Sequence, residues 1–485
     1  MPRVSMSSRR FFSVSDGSFP LPDNPMDKSP VSDQSLPLRA RHLAESLRSN
    51  DRADEASDVE KILESADADN ADTQSDPTFD ALNRLDNLVK SFLRRGKWAV
   101  AVELGTLVLD VREASYGEED LATMSAMNSL VSAYWGQGQY DDAVKLGKKV
   151  TRLRKQILGE KNPQTLVSMS NLASAYRGQG RWEDAQKLDS RVLEIKAETS
   201  GRGHPSTFVS MANLATSYAS QGRYADAESI ERSLVELGEK KFGATEASIL
   251  TWKSNLASTY RDQGHLSLAE RLDLEVLEAR RESLGSEHPL TLTSIANLAS
   301  TYRVQGRWAD AESLDREVVA TSKTALGEKH PQTLMSISNL ASTCRSQGQL
   351  EEAKDLGEKS AAGLKEVLGE RHPHTLTAWA DVAVTYHVNG QRSDATKLGS
   401  EVLHMMEESL GEKHPHTLSV MSNLGFMYQS QGKWDQAGGF AETVYTRRRS
   451  TLGEEHMDTI AALEDLRRIS WVEAADRNAA LARSK

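Results

Sequence analysis

One phrase governs this chain. "NLASTYRVQGRW" at residues 297–308 returns as "NLASAYRGQGRW" at 171–182 and as "NLGFMYQSQGKW" at 423–434. The glycine near its end recurs at 96, 138, 180, 222, 264, 306, 348, 390 and 432, a constant step of 42 residues without insertion. Five residues after each stands alanine: Ala101, Ala143, Ala185, Ala227, Ala269, Ala311, Ala353, Ala395 and Ala437. A second glycine marks another turn, written "LGEKHP" or close to it, as at Gly159, Gly285, Gly327, Gly369 and Gly411. A fixed period of this length marks stacked supersecondary units, each of which buries its apolar face against its neighbours. Such a stack can grow without limit, so 485 residues set no domain count.

Each unit reads as two helices. The first opens at "HPxTL", where proline fits the first helical turn because its missing N–H would have no partner there. Pro163, Pro205, Pro289, Pro331, Pro373 and Pro415 hold that place. Leu166, Met169, Leu172, Ala173 and Tyr176 follow at helical spacing. The "QG" glycine supplies a left-handed cap. The second helix starts at "RW", with Trp182, Ala185, Leu188, Val192 and Leu193 on its buried stripe, and ends at the "LG" glycine. The predicted fold is all-α: a superhelical solenoid of antiparallel helix pairs, about nine to ten units long. Nine units span 78–456. Residues 457–485 form a degenerate tenth, with Met457 in the proline position and Ala474 in the glycine position. That segment is expected to cap the stack with a polar outer face.

Residues 1–77 differ. They are rich in Ser, Asp and Pro and poor in aromatics, so they bury too little apolar surface to offset ordering entropy. The reading is disorder, with one short amphipathic helix around Leu38, Leu43 and Leu47. Arg3, Arg9 and Arg10, without nearby acids, give the first fifteen residues a faint mitochondrial-leader composition. The expected location is nonetheless cytoplasmic.

The spacing of Leu298, Ala299, Tyr302, Gly306 and Ala311 resembles the tetratricopeptide repeat (TPR). The 42-residue form, with "NLA", "GRW" and "LGEKHP", resembles kinesin light chain repeats and, more closely, arrays of that type in filamentous fungi. The resemblance implies a concave face lined by the first helices that holds a peptide segment of a partner protein. It also brings two alternatives. One is a motor-cargo adaptor, although residues 1–76 carry no sustained heptads and are broken by Pro20, Pro22, Pro25, Pro30 and Pro37. The other is the detached sensor half of a fungal NLR-like signalling regulator.

Three rows remain after the fold has taken its letters. The asparagine before "LA" stands at Asn87, Asn171, Asn213, Asn255, Asn297, Asn339 and Asn423, with Ser129 and Asp381 replacing it in two units. Asparagine is a poor helix-interior residue. Its amide both donates and accepts, so a ladder of them can pair with an extended peptide backbone or bridge neighbouring helices. A second row, three residues on, is small: Ser132, Ser174, Thr216, Ser258, Ser300 and Ser342, broken by Val384 and Phe426. The last two read as packing near the capped end or as an apolar pocket. A third row follows the tyrosine: Arg177, Arg261, Arg303 and Arg345, then His387 and Gln429. If it faces the groove it forms a positive strip suited to an acidic or phosphorylated segment. The peptide-binding candidates are therefore Asn171, Asn213, Asn255, Asn297, Asn339 and Asn423, with Arg177, Arg261, Arg303 and Arg345.

The remaining chemistry points away from catalysis. Net charge is −11, which argues against a general nucleic-acid role. No apolar run is long enough for a membrane span. The histidines of "HPH" at 372–374 and 414–416 belong to the repeat's turn, as do His204, His288 and His330, and sit one unit apart. Metal ligands must converge at about 2 Å. Cys344, the only cysteine, occupies the tyrosine position and reads as a buried substitution. No phosphate-binding loop, dinucleotide fingerprint or nucleophile elbow occurs. The expectation is a non-catalytic scaffold without cofactor or metal.

Overall fold

A computed structural model describes residues 36–49, 52–69 and 77–483. All regular secondary structure among them is helical. They fall into two compact units divided after Gly178.

The amino-terminal unit contains α1 (Leu36–Ser49), α2 (Ala53–Asp69), α3 (Pro77–Arg94), α4 (Trp98–Tyr116), α5 (Leu121–Gly136), α6 (Tyr140–Leu158) and α7 (Pro163–Gly178). The carboxyl-terminal unit starts with α8 (Trp182–Thr199), α9 (Pro205–Ser220), α10 (Tyr224–Phe242), α11 (Ala247–Asp262) and α12 (Leu266–Leu284). It continues with α13 (Pro289–Val304), α14 (Trp308–Leu326), α15 (Pro331–Ser346), α16 (Leu350–Leu368) and α17 (Pro373–Val388). α18 (Arg392–Leu410), α19 (Pro415–Gln429), α20 (Trp434–Leu452) and α21 (Met457–Arg483) complete it. Within each unit every helix packs on the next, as in a solenoid of hairpins. Direct approaches between alternate helices join first helices: α3 with α5 and α5 with α7 in one unit, and α11 with α13, α15 with α17 and α17 with α19 in the other. The first helices are thus the closer-packed layer.

Glycines with positive φ recur every 21 residues from Gly96 to Gly453, because both turns of each hairpin end a helix in the left-handed region. At Gly306, φ is +78° and the Arg307 N–H reaches back to the Tyr302 carbonyl at 2.9 Å, closing α13. The Arg307 guanidinium then lies 3.9 Å from the Tyr302 ring centroid, which ties the "GR" to the "Y". At the other turn, His288 caps α13 by accepting the Leu290 N–H on Nδ1 at 3.1 Å. Thr291 donates to the Gly285 carbonyl at 2.8 Å. The same histidine cap occurs at His204, His330, His372 and His414. "HPxTL" is therefore a capping motif throughout. Apolar side chains pack between neighbouring helices, as where Leu277, Leu292, Ile295, Leu298 and Val318 join α12, α13 and α14.

Two features depart from expectation. Within the segment read as mostly disordered, α2 forms beside the short helix expected there, and α1 and α2 pack together. Alanine does what composition alone hides: Ala40, Ala44, Leu47, Ala56, Val59 and Leu63 are buried, so small residues let the two helices approach closely. Glu55 is buried and paired with Lys97 at 2.9 Å. The short helix expected around Leu38 to Leu47 lies inside α1, while Arg3, Arg9 and Arg10 lie outside the described residues. At the other end, α21 is one helix of 27 residues. Ala474 stands where glycine would have ended it, and α21 runs on through that position without a turn.

Candidate functional site

The asparagine row sits on the first helices and divides into two kinds. Asn171 donates to Ser132 Oγ at 3.3 Å in the amino-terminal unit, and Asn297 donates to Ser254 Oγ at 3.0 Å in the carboxyl-terminal unit. These two amides bridge neighbouring first helices. The side chains of Asn213, Asn255, Asn339 and Asn423 make no hydrogen bond within the described residues. Asn213, Asn255 and Asn423 are half-buried, and Asn339 is 5% exposed. A carboxamide on this face without a protein partner retains unused donors and an acceptor.

The arginine row is placed otherwise than a solvent-facing strip. Arg261 is buried, donating to the Asn297 carbonyl at 3.3 Å and to Thr301 Oγ1 at 3.1 Å. Arg345 repeats this contact one unit on, to the Asp381 carbonyl at 3.1 Å and Thr385 Oγ1 at 3.0 Å. Arg303 donates to Asp315 Oδ2 at 2.7 Å and to Thr343 Oγ1 at 3.3 Å. Arg177, in the other unit, donates to Ser174 Oγ at 2.7 Å. The cause is helical geometry: one position past the tyrosine, the side chain runs along the stack toward the next first helix.

Sequence reading missed the row that accompanies it. Asp189, Glu231, Asp273 and Asp315 stand one period apart on the second helices and are all buried. Ser217 donates to Asp189 at 2.7 Å, Thr301 to Asp273 at 2.6 Å and Thr343 to Asp315 at 2.6 Å. Burial pushes the Asp273 carboxyl up to about 6, against the attraction of Arg261 and the Thr301 hydrogen bond. Asp315 is raised for the same reason, with Arg303 opposing. Gly357 takes the acid's position after Arg345, and Arg345 forms no ion pair among the described residues. Burial alone pulls that guanidinium down to about 10. An acid recurring within an otherwise apolar stripe was the available signal.

The remaining candidates are structural in their surroundings. Val384 is in the core cluster of the last hairpins, and Phe426 meets the His387 ring edge-on at 5.4 Å. Cys344 is fully buried, and burial pushes its thiol up to about 11. Among the described residues, no group of histidine, cysteine and carboxylate side chains is arranged to hold a metal ion. None of the described helices is long and apolar enough to cross a membrane.

The sequence pattern of the tetratricopeptide repeat matches residues 78–156, 128–198, 164–240, 248–324, 293–366, 332–408 and 374–450, well over half of the chain. The chain belongs to the tetratricopeptide repeat family. Its units are of the kinesin light chain type. No curated protein is similar to it. Among solved structures, the nearly identical TPR-like repeats of a Podosopora anserina protein described as a kinesin light chain are 31% identical, covering 42% of this chain and 97% of that one, with a TM-score of 0.37. BtubC (BKLC) from P. vanneervenii is 17% identical over 47% of this chain and 89% of its own, with a TM-score of 0.37. The apo quorum sensor NprR from B. thuringiensis is 16% identical over 76% of this chain and 96% of its own, with a TM-score of 0.47.

Proposed function

We propose that the protein is a non-catalytic scaffold that binds an extended segment of a partner protein along its first helices. The supporting observation is the set of unpartnered amides at Asn213, Asn255, Asn339 and Asn423, each in the same register of its unit. A helix gains nothing from asparagine at such a position, whereas a carboxamide can accept a ligand N–H and donate to a ligand C=O. Recognition is through the partner's main chain, with specificity from the side chains beside it. The guanidinium groups of Arg261, Arg303 and Arg345 act within the protein, so charge selection by them is not part of this reading. A pull-down from cell extract compares the wild-type chain with a variant carrying alanine at the four asparagines. The expected result is a partner retained by the first and lost by the second, with equal helical content. Retention of every partner by a folded variant refutes the reading. A kinesin heavy chain among the partners marks a motor adaptor.

A further inference from the structure

A capping helix is expected to present polar residues outward. α21 presents Asp458, Glu464, Asp465, Arg467 and Arg468, but also three large apolar side chains. Ile460 occupies the position of Leu292, Leu334, Leu376 and Leu418 in earlier units, all buried to within 3%. In those units a second helix covers the leucine, as Val318 of α14 covers Leu292. Among the described residues α21 has no such partner, and Ile460 is 45% exposed. Trp471 is 74% exposed and Met457 65%.

Four of the exposed residues form one stripe. Glu464, Arg467 and Trp471 lie four, seven and eleven residues after Ile460, which keeps all four within about 60° of one another at 100° per residue. Thr459, Ala462 and Ile469, the buried residues of α21, point elsewhere. Glu464 and Arg467 are exposed and neither enters an ion pair among the described residues, whereas Arg468 is held by Asp465 at 2.6 Å.

The order along the stripe is apolar, acid, base, apolar. It reads the same against its own reverse: a two-fold axis between residues 465 and 466 sets Ile460 opposite Trp471 and Glu464 opposite Arg467. We propose that α21 is a self-association surface, on which a second copy of this chain docks antiparallel. Each contact then occurs twice, as an isologous interface requires. Two Ile–Trp contacts cover Ile460 and Trp471, and two Glu–Arg pairs fix direction and register. A parallel arrangement in register instead sets Glu464 against Glu464 and Arg467 against Arg467.

Sedimentation velocity of the full-length chain tests this, with circular dichroism as a folding control. The wild type is expected to be a dimer at about 50 µM, well above the micromolar dissociation constants of modest interfaces. Trp471→Ser should weaken the dimer at least tenfold with unchanged helicity. Glu464→Lys alone sets like charges opposite Arg467, and Arg467→Glu alone does the same for Glu464. Each should be monomeric, and an equimolar mixture of the two should form a heterodimer, because both pairs are then opposite in sign. A monomeric wild type at that concentration overturns the proposal, whether or not another protein occupies α21. So does a dimer insensitive to Trp471→Ser, or a charge-reversed pair that fails to associate on mixing.

Discussion

Arg303 Nη1 lies 2.7 Å from Asp315 Oδ2, and Thr343 donates to that same oxygen at 2.6 Å. Three consecutive helices, α13, α14 and α15, meet at one carboxylate. The arginine side chain is 10% exposed and the aspartate 2%, so neither charge is screened by water. Removing one partner leaves the other buried and unpaired, which costs about 3–5 kcal/mol. Arg303→Met should therefore lower stability by about that much in urea denaturation. A loss below about 1 kcal/mol would show the pair to be dispensable, as at an exposed ion pair.

Arg345 supplies the internal comparison. It holds the same position one unit on, but Gly357 replaces the acid. Its burial is offset only by neutral acceptors, chiefly the Asp381 carbonyl and the hydroxyls of Thr385 and Ser342. Arg345→Met strands no charge and should cost about 1 kcal/mol or less, since lost hydrogen bonds are set against relieved desolvation. The contrast between the two methionine variants is the informative quantity. Equal losses would mean that Asp315 contributes nothing to the role of Arg303.

Asp273 gives the network a pH dependence. Its carboxyl titrates near 3.8 when unfolded and is raised to about 6 by burial when folded. A raised acid binds its proton more tightly in the folded state. Its contribution to stability is thus complete below pH 3.8 and is lost as pH rises through 6. The span is about 3 kcal/mol at 1.36 kcal/mol per pH unit. Asp273→Asn should accordingly be more destabilising at pH 4.5 than at pH 7.5, measured against wild type by denaturant unfolding. A difference that grows with pH contradicts the assignment.

Two helical glycines separate packing from propensity. A Cβ on Gly136 would lie 2.3 Å from the ring of Trp98, which is itself buried, so the ring or the helix must move. Gly136→Ala should cost about 1–3 kcal/mol through overpacking. At Gly439, within α20, nothing lies within 4 Å of an added Cβ. Gly439→Ala should stabilise by about 0.5–1 kcal/mol, because alanine loses less backbone entropy in a helix. Thermal or urea unfolding of both variants checks the pair, and the same sign for both would refute it.

Much of this was legible in the sequence for one physical reason: a turn that needs positive φ needs glycine, and a repeat writes that need at fixed steps. Gly306, Leu298, Ala299 and Trp308 name the fold by their spacing. The site was less legible because position does not reveal direction. Asn297 and Asn339 are the same letter in the same register, yet only Asn297 finds a serine within reach, at Ser254. Arg261 and Arg303 looked like a surface strip because the acids that neutralise them lie on the other helix of the hairpin. Their coupling to Asp273 and Asp315 across 12 residues is visible only once the hairpin has closed. Helix α2 was hidden by composition, since alanine-rich contacts score weakly on apolar content.

The buried guanidinium groups also bear on the partner. With Arg261, Arg303 and Arg345 bonded internally, affinity for the partner should change less than about twofold between 50 and 300 mM salt, well past the screening range of exposed charges. A steep fall with salt would mean that these side chains leave their internal partners on binding.

The central claim is that unpartnered asparagine amides read a peptide main chain. Its most direct measurement is calorimetric titration of the captured segment, unmodified and with its backbone amides N-methylated at alternate residues. The wild-type protein should bind the unmodified segment at least tenfold more tightly than a methylated one, since each lost hydrogen bond is worth about 0.5–1.5 kcal/mol. The variant with alanine at Asn213, Asn255, Asn339 and Asn423 should bind both weakly and alike. Equal binding of both segments by the wild type, or full affinity in the variant, would contradict the claim.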